Sequence, residues 1–351
     1  GGAQSFNEVS LVNLSTHEHT AMVVGFNPRD VQFSQDSSMA VVVSDAYLAV
    51  IDLLESTPAP NRIQISEDLI DPPLAEEVLL VPDGSFAFVR QFGATELVVV
   101  DILTELVDWV EVGANPTDID VTPDGSQAVA VARGSGELWV YDLADPYGEA
   151  EVIEMPEGEV FGSVLMSPDG TKGLLYSTAS GVSRFASWDR DAEDPEEAIE
   201  ILSLVKPVDS MAVSPTGGTA LVFHDDSNGE DVDSSSPFYG EFALTMIDLS
   251  DFFANPLLLP AEPTGYADTA DGQTGFFVME GESYLEILHY DSLLYDEIEL
   301  KSSPVHLGVL PETRTAYISQ EHDLGRISFY DADEAELETI TGFELNAGIQ
   351  E

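Results

Sequence analysis

Short apolar runs, each closed by a polar turn, recur along the chain, and the stretch Ile119–Leu143 shows the arrangement most fully. Its order is an apolar run (Ile119 to Val121), a Pro123-Asp124-Gly125 turn, and a second run of small apolar residues (Ala128 to Ala132). A glycine loop (Gly134, Gly136) and a bulky run, Leu138-Trp139-Val140-Tyr141, follow, and Asp142 closes them. The turn predicts a hairpin, because glycine takes positive φ freely and aspartate tolerates turn geometry. Ala128 to Ala132 has no polar face, which predicts a strand buried on both sides. Glu151-Val152-Ile153-Glu154 alternates and predicts a half-exposed fourth strand. Four antiparallel strands in one repeat make a blade.

Variants of this unit open at Val31, Val78, Val164, Met211, Tyr266 and Leu307. The turns at Asp83, Asp124 and Asp169 fall about 40–45 residues apart, the period of a β-propeller. The fold expected is therefore all-β: a single propeller domain over residues 1–351, built of four-stranded antiparallel blades. The copies point to seven blades. Strand-like pieces within 9–24 predict ring closure with the blade that holds the C-terminus. That last copy already carries strands at Arg326–Tyr330 and Leu337–Ile340, and 341–349 reads as one more. Eight blades, one of them composite, is the alternative.

Val112-Gly-Ala-Asn-Pro-Thr-Asp-Ile-Asp-Val-Thr-Pro-Asp-Gly125, with Leu138-Trp-Val-Tyr-Asp142 after it, resembles a YVTN-type propeller repeat. That group is related in layout to WD-repeat and lactonase-like propellers. The chain is also similar to secreted propellers and propeller lipoproteins of myxobacteria and their relatives, particularly over 307–349. The resemblance implies a fold; folds of this kind host many functions.

Charge changes the picture most. The chain has 66 acidic and 11 Lys or Arg residues, a net charge of −55, yet 44% of it is hydrophobic. A folded body with an acidic coat is expected, not a disordered tail. Nucleic acid is excluded as a direct partner, since binding it takes basic patches, and anionic membrane surfaces are repelled. Acid-rich, lysine-poor surfaces suit high salt, where self-repulsion is screened, so a marine or halophilic source is expected. No cysteine is present, which removes disulfides and thiol chemistry. No apolar run is long enough to span a membrane. The Gly1-Gly2 start fits removal of an export signal, with a lipid anchor upstream as one form of it.

Candidate chemistry is sparse. Ends of second strands and entries to innermost strands share one face of a propeller, and loops on a rigid scaffold carry function. That face is expected to hold Arg90, Arg133, His224, His306, Gln320, Glu321 and His322. Arg90 and Arg133, read as equivalent positions, would suit an anionic ligand or a partner's carboxylates, or else pair internally. His306, Glu321, His322 and Arg326 are the grouping a lactonase-like hydrolase would use. The departure from the repeat at 224–241 offers Asp225, Asp226, Asp231 and Asp233 for calcium. As an EF-hand it fails, because His224 and Ser235 stand where ligands are needed. His17-Glu18-His19 is a weak metal candidate, and Asn13-Leu14-Ser15 a formal glycosylation sequon. No Gly-x-Ser-x-Gly elbow, His-Glu-x-x-His helix or P-loop occurs.

These features predict an extracytoplasmic, non-enzymatic scaffold that binds a protein partner or a small anionic ligand, with no cofactor. The alternatives are a hydrolase working at a channel mouth and a surface module stabilised by calcium. Converging His, Arg and Glu would favour the hydrolase, and exposed aromatics the scaffold.

Overall fold

The computed structural model describes residues 7–12, 19–178, 181–192, 194, 198–229, 231–311 and 313–342. Strands β1 (Glu8–Val12) and β2 (His19–Val23) form a two-stranded sheet, and seven four-stranded antiparallel sheets follow, each of strands consecutive in the chain. The first sheet holds β3 (Asp30–Phe33), β4 (Met39–Val43), β5 (Tyr47–Asp52) and β6 (Pro60–Gln64). The second holds β7 (Ala75–Leu80), β8 (Phe86–Gln91), β9 (Glu96–Asp101) and β10 (Val107–Glu111). The third holds β11 (Pro116–Val121), β12 (Gln127–Ala132), β13 (Glu137–Asp142) and β14 (Glu151–Glu154). The fourth comprises β15 (Ser163–Met166), β16 (Lys172–Tyr176), β17 (Arg184–Asp189) and β18 (Ile199–Ser203). The fifth comprises β19 (Ser210–Val213), β20 (Thr219–His224), β21 (Phe242–Asp248) and β22 (Phe253–Leu259). The sixth has β23 (Pro263–Asp268), β24 (Thr274–Met279), β25 (Tyr284–His289) and β26 (Leu294–Glu299). The seventh has β27 (Pro304–Val309), β28 (Thr315–Gln320), β29 (Arg326–Asp331) and β30 (Glu336–Thr341). These sheets are consistent with propeller blades.

The chain divides into two compact units, Gly1–Tyr176 with Ala186–Glu200, and Ser177–Phe185 with Ile201–Glu351. In the first unit, side chains of successive sheets interleave. Val41, Val43 and Leu48 of the first sheet pack with Val78, Val89 and Val98 of the second. Phe88 and Val99 of the second pack with Ile119, Ala130 and Tyr141 of the third. In the second unit, Leu221, Leu244 and Met246 of the fifth sheet meet Phe277 and Leu288 of the sixth. The other face of the sixth, with Phe276, Leu285 and Ile287, meets Leu307 and Ile318 of the seventh. The second strands are the most buried: Ala128, Val129, Ala130, Val131 and Ala132 all lie at 0% exposure, as the absence of a polar face requires.

One turn is reused between first and second strands. The hydroxyls of Ser34, Thr122, Ser167, Ser214 and Thr269 each accept the amide N–H five residues on, at 3.0–3.2 Å. Gly125 and Gly170 then adopt φ of 67° and 73°, the left-handed region that favours glycine. Gly125 lies against Pro82 of the preceding turn, and Gly170 against Pro123. The copies found in the sequence thus occupy matching places in successive sheets of the first unit. The first strands are also tied directly: Asp30 accepts the Val78 N–H at 3.1 Å, Asp118 that of Val164 at 2.8 Å, and Asp120 that of Met166 at 2.7 Å.

Strands β1 and β2 pair with each other and with no other described strand. Met22 and Val24, with Val9 and Leu11, cover Ala40, Val42, Ala49 and Ile51 of the first four-stranded sheet. Of 341–349, read as a further strand, Thr341 ends β30 and 343–349 lie outside the described residues, as do Asn13, Ser15, His17 and Glu18. No described helix is long and apolar enough to cross a membrane.

Candidate docking site

Arg90 lies near the end of β8, where β7 and β8 pair Glu77 with it across a bulge. Its Nε donates to Glu77 and its Nη1 to Glu76, both at 2.9 Å, and Nη1 also reaches the Pro116 carbonyl at 3.3 Å. Burial, then the charge of Asp118, raises the Glu77 carboxyl to about 7 despite this arginine. Burial likewise raises Asp118 to about 6. Arg90 is therefore committed to carboxylates of its own chain. Arg133 does not stand at the equivalent position. In the next sheet the position paired like Arg90 is Val131, opposite Asp118, and Arg133 lies two residues further on, beyond the end of β12. The bulges between Ala75 and Glu77 and between Pro116 and Asp118 fix this register.

His224 ends β20 and is 1% exposed. Its Nδ1 donates to the Pro207 carbonyl at 2.7 Å, which makes Nε2 the acceptor for the Thr245 hydroxyl at 2.8 Å. Burial lowers its pKa to about 4, so it is a neutral, fully bonded ring at neutral pH. Beside it the ammonium of Lys206, buried at 0% exposure, donates to the carbonyls of Asp225 and Glu241. One lysine thereby clasps both ends of the 225–241 loop. Within the loop the acids serve separately: Asp225 accepts from Ser227 and Asp233 from Ser235. Asp231 reaches out to Ser183 at 2.9 Å and Arg184 at 3.4 Å, and Asp226 is on the exposed surface. Among the described residues no three His, Asp or Glu side chains converge to hold a metal. Lys206→Met keeps the apolar stem and removes both donors. It is expected to cost about 2–3 kcal/mol and to expose the loop to protease, read by denaturant melts and by limited proteolysis.

His306 follows the bulge in β27, pairs with Ser319, and stands with its ring 5.9 Å from that of Tyr317. His322 lies past the end of β28, where its Nδ1 accepts the Leu324 N–H. Glu321 is exposed, and its N–H donates to the Ser303 carbonyl. Arg326 is turned to the Lys301 carbonyl and the hydroxyls of Ser302 and Thr341. The side chains of His306, His322 and Arg326 are thus each engaged with a different neighbour.

A pocket with a different lining opens beside Gln91, the residue after Arg90. It holds about 420 Å³ and is lined by Ile65, Ser66, Glu67, Asp68, Pro73, Gln91, Glu96 and Trp109. The connection from β6 to β7 supplies one wall. Asp68 shapes that wall by accepting the N–H groups of Ile70 at 2.8 Å and Asp71 at 3.1 Å. The same bonds hold its carboxyl below the usual range. Glu96 opens β9, directly across from Glu111 of β10, and Trp109 projects from the middle of β10. Gln91 is 5% exposed, and its amide nitrogen has no hydrogen-bond partner. Apolar side chains stand out in solvent on the same segments: Ile70 at 97%, Phe92 at 65%, and Leu69, Leu74 and Trp109. Phe92 is tied to this wall, its N–H donating to the Leu74 carbonyl at 2.8 Å. Composition and spacing did not reveal this site, because four separated segments build it. The one local signal was Leu69-Ile70 inside an otherwise polar, proline-rich connection.

No protein-family model matches the chain, and no curated protein matches its sequence. Solved structures do resemble its fold. "Crystal structure of the eukaryotic initiation factor" is similar at a TM-score of 0.64 and 13% identity, over 95% of this chain and 82% of that one. "Dihydro-heme d1 dehydrogenase NirN in complex with DHE" is similar at 0.57 and 14%, over 97% and 72%. Hsv2 of Kluyvelomyces marxianus is similar at 0.51 and 9%, over 90% and 96%. The fold is propeller-like. It distantly resembles WD40- and YVTN-type propellers, while the myxobacterial lipoprotein likeness has no counterpart among these findings. At such identities the likeness concerns the fold alone.

Proposed function

We propose that the protein is a non-enzymatic binding scaffold that docks a protein partner over the pocket walled by Trp109. The observation that carries this reading is exposed apolar surface on the segments that build the pocket: Trp109 lines it, and Leu69, Leu74 and Phe92 directly follow its lining residues Asp68, Pro73 and Gln91, with Ile70 next to Leu69. Leaving such side chains in water is unfavourable, and grouped exposure of this kind marks interaction surfaces. The hydrolase reading has less support, since the side chains of His306, His322 and Arg326 each turn to a different neighbour. A small anionic ligand is also less well supported, since Arg90 is taken up by Glu76 and Glu77. A saline setting belongs to the same proposal and rests on the net charge of −55; an extracytoplasmic one is proposed with it.

Panning a displayed random-peptide library against the protein tests the reading. Enriched peptides are expected to lose binding to an Ile70→Ser, Phe92→Ser double variant. Enrichment that survives in this variant, or no enrichment at all, would contradict it.

A further inference from the structure

We infer that the pocket accepts the arginine side chain of an extended segment of the partner. This inference rests on the reading of the protein as a docking scaffold and names the chemistry of what docks. Three carboxylates, Glu67, Asp68 and Glu96, line the pocket, and its lining contains no Lys, Arg or His to neutralise them. Glu111 stands opposite Glu96 across the β9–β10 ladder and adds to the negative potential. The nearby Arg90 cannot supply the missing charge, because it is bound to Glu76 and Glu77. The complement of this lining is a cation from outside the chain.

The remaining groups narrow the cation. Trp109 forms a flat aromatic wall that is 38% exposed. Guanidinium stacks on such a face and also forks between carboxylates, whereas ammonium acts as a point charge. The cavity of about 420 Å³ takes an arginine side chain with part of its backbone. Gln91 points to a peptide in place of a free cation. Its amide nitrogen is buried at the pocket without a partner, and a peptide carbonyl is the acceptor it lacks. Asp68 is already fixed by the Ile70 and Asp71 N–H groups, so this carboxylate needs no ordering on binding. The exposed Ile70 and Phe92 lie on the segments that supply the lining residues Asp68 and Gln91 and suit apolar residues beside the arginine.

Calorimetric titration with acetyl-Ala-Arg-Ala-amide tests this, against the same tripeptide carrying citrulline, which keeps the shape and loses the charge. The arginine peptide is expected to bind at least about tenfold more tightly than the citrulline peptide. A Glu67→Gln, Glu96→Gln double variant is expected to bring the two to the same affinity, and Trp109→Ala to weaken the arginine peptide about tenfold. Thermal melts of the variants establish that they are folded, and all three positions lie at the surface of the pocket. Equal binding of both peptides overturns the inference while leaving the scaffold reading intact, since that reading stands on the peptide selection that depends on Ile70 and Phe92. Arginine binding unchanged in the carboxamide variant, or no binding of either peptide, also overturns it.

Discussion

Glu286→Gln is expected to raise the unfolding free energy at pH 8.5 by about 3–5 kcal/mol and to leave it nearly unchanged at pH 4. Glu286 sits on β25, opposite Phe277 and Glu297, and is 1% exposed. Strand alternation places it on the same face as Leu288, which packs with Leu244, Met246 and Leu259. Its Oε2 has no hydrogen-bond partner. Burial first, then the charges of Glu297 and Glu282, raises its pKa to about 8 from an ordinary 4.5. Below pH 4.5 the group is neutral in both folded and unfolded chains and costs nothing. Between pH 4.5 and 8 the unfolded chain gives up its proton while the folded one retains it, so stability falls as pH rises. Glutamine has the same shape and no charge, which removes that slope. Denaturant melts from pH 4 to pH 8.5 measure the effect; parallel curves for the two proteins would refute it.

Arg90→Met should show the second large effect, also dependent on pH. The guanidinium holds Glu77 and Glu76 at 2.9 Å each and reaches the Pro116 carbonyl, so it links the second sheet to the third. Glu77 already titrates near 7 with the arginine beside it. Without Arg90 its pKa rises further, and at pH 6 the carboxyl is protonated and the loss is only about 1–2 kcal/mol. At pH 8.5 the choice is between a buried unpaired carboxylate and an unfavourable protonation, and the loss grows by up to about 2 kcal/mol, to about 3–4 kcal/mol. Melts of the variant and its parent at the two pH values decide; a loss independent of pH would exclude this role for Glu77.

The repeating fold was legible because its turn is chemically demanding. A hydroxyl that accepts the N–H five residues on, an aspartate and a left-handed glycine leave few sequences to choose from, so Thr122-Pro123-Asp124-Gly125 advertises its own structure. The fourth strand at Glu151–Glu154 followed from alternation, and the buried run at Ala128–Ala132 from its lack of any polar face. Register did not. The bulges ahead of Glu77 and Asp118 cannot be seen in residue order, and they decide that Arg90 pairs within its sheet while Arg133 lies beyond its strand. Lys206 was merely one of three lysines until the fold set it between the carbonyls of Asp225 and Glu241. The Trp109 pocket is the extreme case. Residues from 65 to 109 build it, and exposure of Ile70 and Phe92 is a property of surface, which a sequence of apolar residues does not distinguish from core.

Hydroxyl-radical footprinting tests the docking surface most directly. The protein is oxidised alone and again within the assembly isolated from its source. Oxidation of Trp109, Phe92, Leu74 and Ile70 is expected to drop together in the assembly, with Leu103 and Leu54, also exposed, oxidised as before. Unchanged oxidation at the first four residues, with protection at any other face, would contradict the account.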